Sequence, residues 1–226
     1  MSKADEVYEV TIDAGDAAAD EAGRRRWNIP GMREEDCFAW SYEGPERTTQ
    51  RLVDSQGYLQ SLLRTHRFDA AALLKEPAGV DSMSWLAQHM RQMCTELGMF
   101  VSLVRAECTE QRCPVMRAQE TTYYCAGHGK PRPCSAIGYA VHTLDYAVRQ
   151  LGQPRDWAPS MKHFQSMVRR LYRIFAHVYF HHRDLFEQQE SVSGLYARFV
   201  RLARKYELTP ESLIIIPELP TTAATA

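Results

Sequence analysis

Between Pro159 and Gln189 the chain carries Phe164, Met167, Val168, Leu171, Ile174, Phe175 and Val178, an apolar set at three- and four-residue steps. A helix with so large an apolar stripe belongs at the centre of a bundle. The pattern predicts one long helix from about Met161 to Gln189. Arg169, Arg170 and Arg173 interrupt the apolar surface on one arc, since 169 and 173 lie about 40° apart and 170 and 173 about 60°. Three guanidiniums cannot be buried unpaired. They meet internal carboxylates or line a surface pocket for an anion, and arginine's planar fork suits phosphate.

The rest of the chain supports a helical reading. Leu52, Tyr58, Leu59, Leu62 and Leu63 predict an amphipathic helix beginning near Thr48, before the break at Pro77–Gly79. Asp81 or Ser82 caps a second helix running to about Ala106, with Trp85, Leu86, Met90, Met93, Leu97, Phe100 and Val104 as its stripe, flanked by Val101 and Leu103. Thr121–Cys125 is the one predicted strand. A helix over Ser135–Leu151 buries Ile137, Ala140, Val141, Leu144 and Val148. After the long helix a shorter one covers about Gly194 to Tyr206, and Thr209 with Pro210 caps a final turn. The expectation is an all-α bundle with a small β insert over residues 47–218. Residues 1–46 read as an acidic, largely flexible extension in which Cys37–Tyr42 packs back on the body, and 219–226 as a flexible tail.

Lys+Arg 27 against Asp+Glu 28 gives a formal charge of −1, which supplies no field for nucleic acid or anionic membrane. The longest aliphatic run, Leu213–Ile216, is far short of a membrane span, and the first residues lack the apolar core of a secretory signal. A cytoplasmic chain with reduced thiols is expected, with membrane association only through partners.

Of the cysteines, four fall between 108 and 134. Cys108 and Cys113 form a C-x4-C loop whose thiolates can converge on one zinc ion. Histidines would complete the set, and the long helix offers His177, His181 and His182. Helical geometry favours His177 with His181, about 40° apart, over His177 with His182, about 140° apart. The residues alone leave that choice open. Cys125-x2-His128-x5-Cys134-x7-His142 suggests a second knuckle.

No catalytic constellation emerges. His182-Arg183-Asp184-Leu185 imitates a kinase catalytic loop, yet Gln189 stands where Asn is needed and no Gly-rich loop or DFG accompanies it. Gly127-His128-Gly129-Lys130 lacks the spacing and following Ser/Thr of a P-loop. The chain is not expected to be an enzyme.

Cys108-Thr-Glu-Gln-Arg-Cys113-Pro-Val-Met, then Pro133-Cys134-Ser-Ala, then Leu171-Tyr-Arg-Ile-Phe-Ala-His177-Val-Tyr-Phe-His-His182 resemble the Mob family of kinase-binding adaptors over roughly residues 35–218. Phe38-Ala39-Trp40, Cys125-Ala-Gly-His128, His142-Thr-Leu-Asp145 and Tyr172–Phe175 with Phe180–Arg183 point to its phocein branch. The resemblance implies a Mob-type bundle with a small β-hairpin insert and one structural zinc per chain, held by Cys108, Cys113, His177 and His182. His181 becomes the neighbour of the ligands. With one zinc in that fold, Cys125 and Cys134 read as reduced structural thiols.

The resemblance also implies a phosphoserine/phosphothreonine peptide pocket at Arg169, Arg170 and Arg173. The partners it implies are germinal-centre kinases and a striatin-like scaffold in phosphatase–kinase assemblies. An activating subunit of NDR/LATS-type kinases is the alternative. Members of that kind have acidic residues before the tryptophan corresponding to Trp85, where this chain has only Asp81. A nucleic-acid-binding zinc module is a third, disfavoured reading.

Overall fold

The computed structural model describes residues 52–128, 130–151 and 160–218. The expected extension over 1–46, the packing of Cys37–Tyr42 and the tail over 219–226 lie outside these residues. In chain order the elements are α1 (Leu52–His66), α2 (Ala70–Leu74), α3 (Ser82–Val104), β1 (Arg117–Ala118), β2 (Thr121–Thr122), α4 (Ala136–Leu151), α5 (Met161–His181), α6 (Arg183–Ser193), α7 (Leu195–Lys205) and a 3₁₀ turn (Glu211–Leu213).

Local chemistry sets these boundaries. Asp81 caps α3, its carboxylate accepting from the N–H groups of Met83 and Ser84 at 3.1 and 2.9 Å. Asp69 caps α2 in the same way through Ala71 and Ala72. Alpha-helix α2 is absent from the sequence reading because five residues show no periodicity of their own. Gly194 joins α6 to α7 at φ +57°, and a Cβ there would meet Phe68 Cδ1 at 2.9 Å, so both backbone and space require glycine.

Helix α5 is central as expected: Phe164, Met167, Val168, Leu171, Ile174, Phe175 and Val178 are each 2% exposed or less. It packs on α4, α6 and β1, while α3 packs on α1, α4 and α7. Phe175 stacks among Phe100, Tyr196 and Phe199, which knits α3, α5 and α7 together.

Four expectations are corrected. The long helix does not reach Gln189: it ends at His181, His182 takes φ −142° and ψ 53°, and α6 starts afresh at Arg183. The predicted strand Thr121–Cys125 shrinks to Thr121–Thr122, paired with Ala118 and Arg117. Beyond it Cys125 makes a single bridge to Arg132, because Pro131 and Pro133 on either side supply no N–H to continue a ladder. Thr209 does not cap the final turn, where Pro210 holds the capping position. Leu103, Val141 and Val148 are 52%, 50% and 55% exposed, since the bundle covers a narrower arc of α3 and α4 than their apolar residues span. Among the described residues no helix is long and apolar enough to cross a membrane.

Candidate functional site

The break at His182 decides which side chains converge. An unbroken helix would carry His182 away from His177, but the non-helical backbone at His182 brings its ring to Cys113 in the loop after α3. His182 Nε2 lies 3.4 Å from Cys113 Sγ, and His177 Nε2 lies 3.4 Å from Cys108 Sγ. The four ligand atoms all fall within 4.8 Å of one another. A tetrahedral zinc with ordinary Zn–S and Zn–N lengths holds S and N about 3.5 Å apart, which these two separations match, so the four residues could hold such an ion.

Neighbouring groups prepare these ligands. His177 Nδ1 is 2.8 Å from the Arg117 carbonyl, an acceptor only, so Nδ1 carries the proton and Nε2 presents its lone pair to the centre. Burial, partly offset by that bond, lowers the His177 pKa to about 4 and keeps the ring neutral at pH 7. The Glu107 carboxylate stands 4.0 Å from His182 Nδ1. Burial, with Cys113 alongside, pushes the Cys108 thiol up to about 12, so a thiolate pair here needs a cation beside it. His181 lies outside the set: its ring stacks on His177 at 4.8 Å. All four positions are filled by protein, which is the pattern of a structural rather than a catalytic zinc.

The arginines gather on one side of a cavity of about 390 Å³ between α5, α4 and the loop after β2. Arg173 is half-buried, donates to Tyr139 Oη at 3.0 Å and lies over the Tyr123 ring at 4.7 Å. Arg170 lies over Tyr146 at 5.1 Å, and Arg169 is exposed at the rim. Stacking holds a guanidinium by its face and leaves the in-plane N–H donors for an anion. Among the described residues no carboxylate forms a salt bridge with any of the three. Among the described residues, therefore, internal pairing does not account for these charges.

Tyr139, Tyr123 and Tyr146, which orient the guanidiniums, were missed in the sequence. Tyr139 and Tyr146 are seven apart on α4, a spacing that could have placed them on one face. Cys125, His128, Cys134 and His142 also converge, their ligand atoms within 4.8 Å of one another, and both cysteines are free thiols. The kinase-like Asp184 is exposed in the first turn of α6 and faces no assembled catalytic group among the described residues. Asp81, the one acid before Trp85, is engaged as a helix cap.

Fold and site together define a mostly helical protein with a Cys2His2 cluster that could hold a metal ion against its central helix and an arginine-walled cavity beside it. The sequence profile of the Mob1/phocein family matches residues 61–216. MOB-like protein phocein of Caenorhabditis elegans is 35% identical over 211 residues, covering 90% of this chain and 94% of that protein. MOB kinase activator-like 4 of Drosophila melanogaster is 33% identical over 200 residues, covering 85% and 89%. A more distant relative, MOB kinase activator-like 2A of Arabidopsis thaliana, is 23% identical over 158 residues, covering 62% of this chain and 72% of that protein. The chain belongs to the Mob1/phocein family.

Proposed function

We propose that the protein is a non-catalytic cytoplasmic adaptor whose Arg169, Arg170 and Arg173 bind phosphorylated Ser/Thr segments of protein kinases and of a striatin-like scaffold. The observation that carries this reading is the arginine cavity itself: three fixed positive charges, two stacked on tyrosines, with no carboxylate paired to them among the described residues. A phosphate carries about −1.5 to −2 charge and three acceptor oxygens, more than one carboxylate offers. A zinc ion on Cys108, Cys113, His177 and His182 would hold α5, and with it the arginines, against the loop after α3.

Calorimetry with matched phosphorylated and unphosphorylated kinase or scaffold peptides is the test. Each charge-assisted bond is worth about 1.5–3 kcal/mol, so Arg173→Ala weakens phosphopeptide binding about tenfold or more while zinc content stays at the wild-type value. Equal affinity for the two peptides, or an unaffected variant, refutes the reading. Two relatives carry the name kinase activator, which supports the second reading, an activating subunit of NDR/LATS-type kinases. The capped Asp81 offers such a kinase's basic segment little free acid, and pull-down with NDR-type fragments against striatin separates the two.

A further inference from the structure

Tyr124 is 57% exposed and its side chain stands at the mouth of the arginine cavity, which it helps to line. The backbone pins it from both sides: the Tyr123 N–H donates to the Met116 carbonyl and the Cys125 N–H to the Arg132 carbonyl, both at 2.8 Å. Tyr124 itself makes no hydrogen bond to a described residue, through its backbone or its hydroxyl. One residue earlier, the Tyr123 ring carries the Arg173 guanidinium at 4.7 Å, so the free phenol and the cations share one space of about 390 Å³.

Two further observations say what this phenol could do. Gln119, Glu120, Thr121 and Thr122 before it are exposed, as is Ala126 after it, so a modifying enzyme meets an open surface segment. Among the described residues the cavity lining holds three guanidiniums and no carboxylate. An unmodified tyrosine leaves that imbalance as it is. A phosphotyrosine brings about −1.5 to −2 charge and three acceptor oxygens, and stacked guanidiniums keep their in-plane donors free for such oxygens.

We propose that Tyr124 is a site of tyrosine phosphorylation whose phosphate docks on Arg169, Arg170 and Arg173 and closes the cavity to partner segments. The step is a phosphoryl transfer from ATP by a protein tyrosine kinase. The phenol oxygen bonds to the γ-phosphorus, the bond to the β-phosphate oxygen breaks, ADP leaves, and the phenol proton passes to the kinase's base. Nothing is oxidised or reduced. A group tethered to the cavity wall acts at an effective concentration of about millimolar, so a partner phosphopeptide of micromolar affinity should bind about tenfold more weakly or worse. That closure rests on the adaptor reading above, whereas the modification and the docking of its phosphate do not.

The experiment uses the full chain. Incubated with ATP and a panel of purified tyrosine kinases, it should gain a phosphate that peptide mapping by mass spectrometry places on Tyr124 and that Tyr124→Phe lacks. No phosphate at that position overturns the modification. Phosphotyrosine installed at position 124 during translation separates docking from kinase access. Its ³¹P titration should lie at lower pH than in the urea-unfolded chain, because neighbouring guanidiniums favour the dianion. Arg169→Ala/Arg173→Ala should remove that difference, and a difference that persists overturns the assignment to these arginines. A titration that folding does not move overturns the docking outright. Calorimetry with the phosphorylated kinase or scaffold peptide should show the tenfold loss in the phosphorylated chain, and equal affinity overturns the closure. A displaced ³¹P titration in a protein that binds no phosphopeptide in either state would uphold the docked phosphate and refute the adaptor reading instead.

Discussion

Replacing Glu96 with glutamine strands a charge in the core. Glu96 and Arg198 are each 4% exposed, and the terminal nitrogens of Arg198 reach both carboxylate oxygens. Arg198 also donates to the Ser193 carbonyl at 3.3 Å, while Gln92 donates to Glu96 at 2.9 Å and accepts from Gln56 and Gln60. The pair thus links α7, α3 and α1. A guanidinium cannot shed its proton, so the orphaned charge has no chemical escape. Breaking a buried pair costs about 3–5 kcal/mol, against a total stability of about 5–15 kcal/mol. Urea unfolding of Glu96→Gln should therefore show a much lower midpoint at an unchanged slope. Arg198→Met leaves a carboxylate instead, which can take up a proton, so its deficit should shrink as pH falls while that of Glu96→Gln should not. The double replacement Glu96→Leu/Arg198→Met removes both charges and should lie closer to wild type than either single variant. A Glu96→Gln protein within about 1 kcal/mol of wild type, or a double variant as damaged as the single ones, would refute the reasoning.

Other outcomes follow from single groups. Burial, reinforced by the charge of Arg198, lowers the His89 pKa to about 3. The unfolded chain then binds the extra proton between pH 6.5 and 3, so this group's contribution falls as pH falls, by up to about 1.4 kcal/mol per pH unit. His89→Leu should flatten that slope in pH-dependent unfolding, and parallel curves would discard the assignment. Tyr172 Oη accepts from the N–H groups of Ile215 and Ile216 at 2.6 and 2.9 Å, so Tyr172→Phe should cost about 1–3 kcal/mol and speed hydrogen exchange at both amides. Gly98→Ala, with open space around its Cβ inside α3, should stabilise by about 0.5–1 kcal/mol in thermal melts.

Periodicity was enough to locate the central helix, because Phe164, Met167, Val168, Leu171, Ile174, Phe175 and Val178 recur at three- and four-residue steps and all are buried. It was misleading where a helix is covered on one arc only, as at Val141 and Val148. The end of α5 was not legible: no Pro or Gly marks His182, and the sequence continues with residues that are helical again from Arg183. That break is what lets residues five apart share a centre, so helical geometry alone preferred His181. The Cys125 group, His142 included, is visible as a pattern in the sequence, but the resemblance to a fold with one zinc reads Cys125 and Cys134 as reduced structural thiols. Glu96 and Arg198 lie 102 positions apart, and nothing local to either announces the other.

Removal of the zinc proposed for Cys108, Cys113, His177 and His182 is the perturbation that reaches furthest. Cys108 and His177 are 1% and 3% exposed and lie 69 positions apart, so their meeting joins the loop after α3 to the C-terminal part of α5. Chelation would leave a buried sulfur and a buried imidazole facing each other with one weak contact in place of two metal bonds. Structural zinc contributes about 10–16 kcal/mol in small finger peptides, comparable to the whole stability of a typical domain. Even a fraction of that would exceed the margin here, so chelator should convert a cooperative melt into a broad, low-temperature loss of helix. Arg173 precedes His177 by one helical turn, and the arginine cavity should lose its form in the same transition. Circular dichroism during titration with a strong chelator, with released zinc followed in parallel, reads both events. A metal-free protein that stays fully helical and melts cooperatively would show that the apolar packing of α3, α4 and α5 holds the fold unaided.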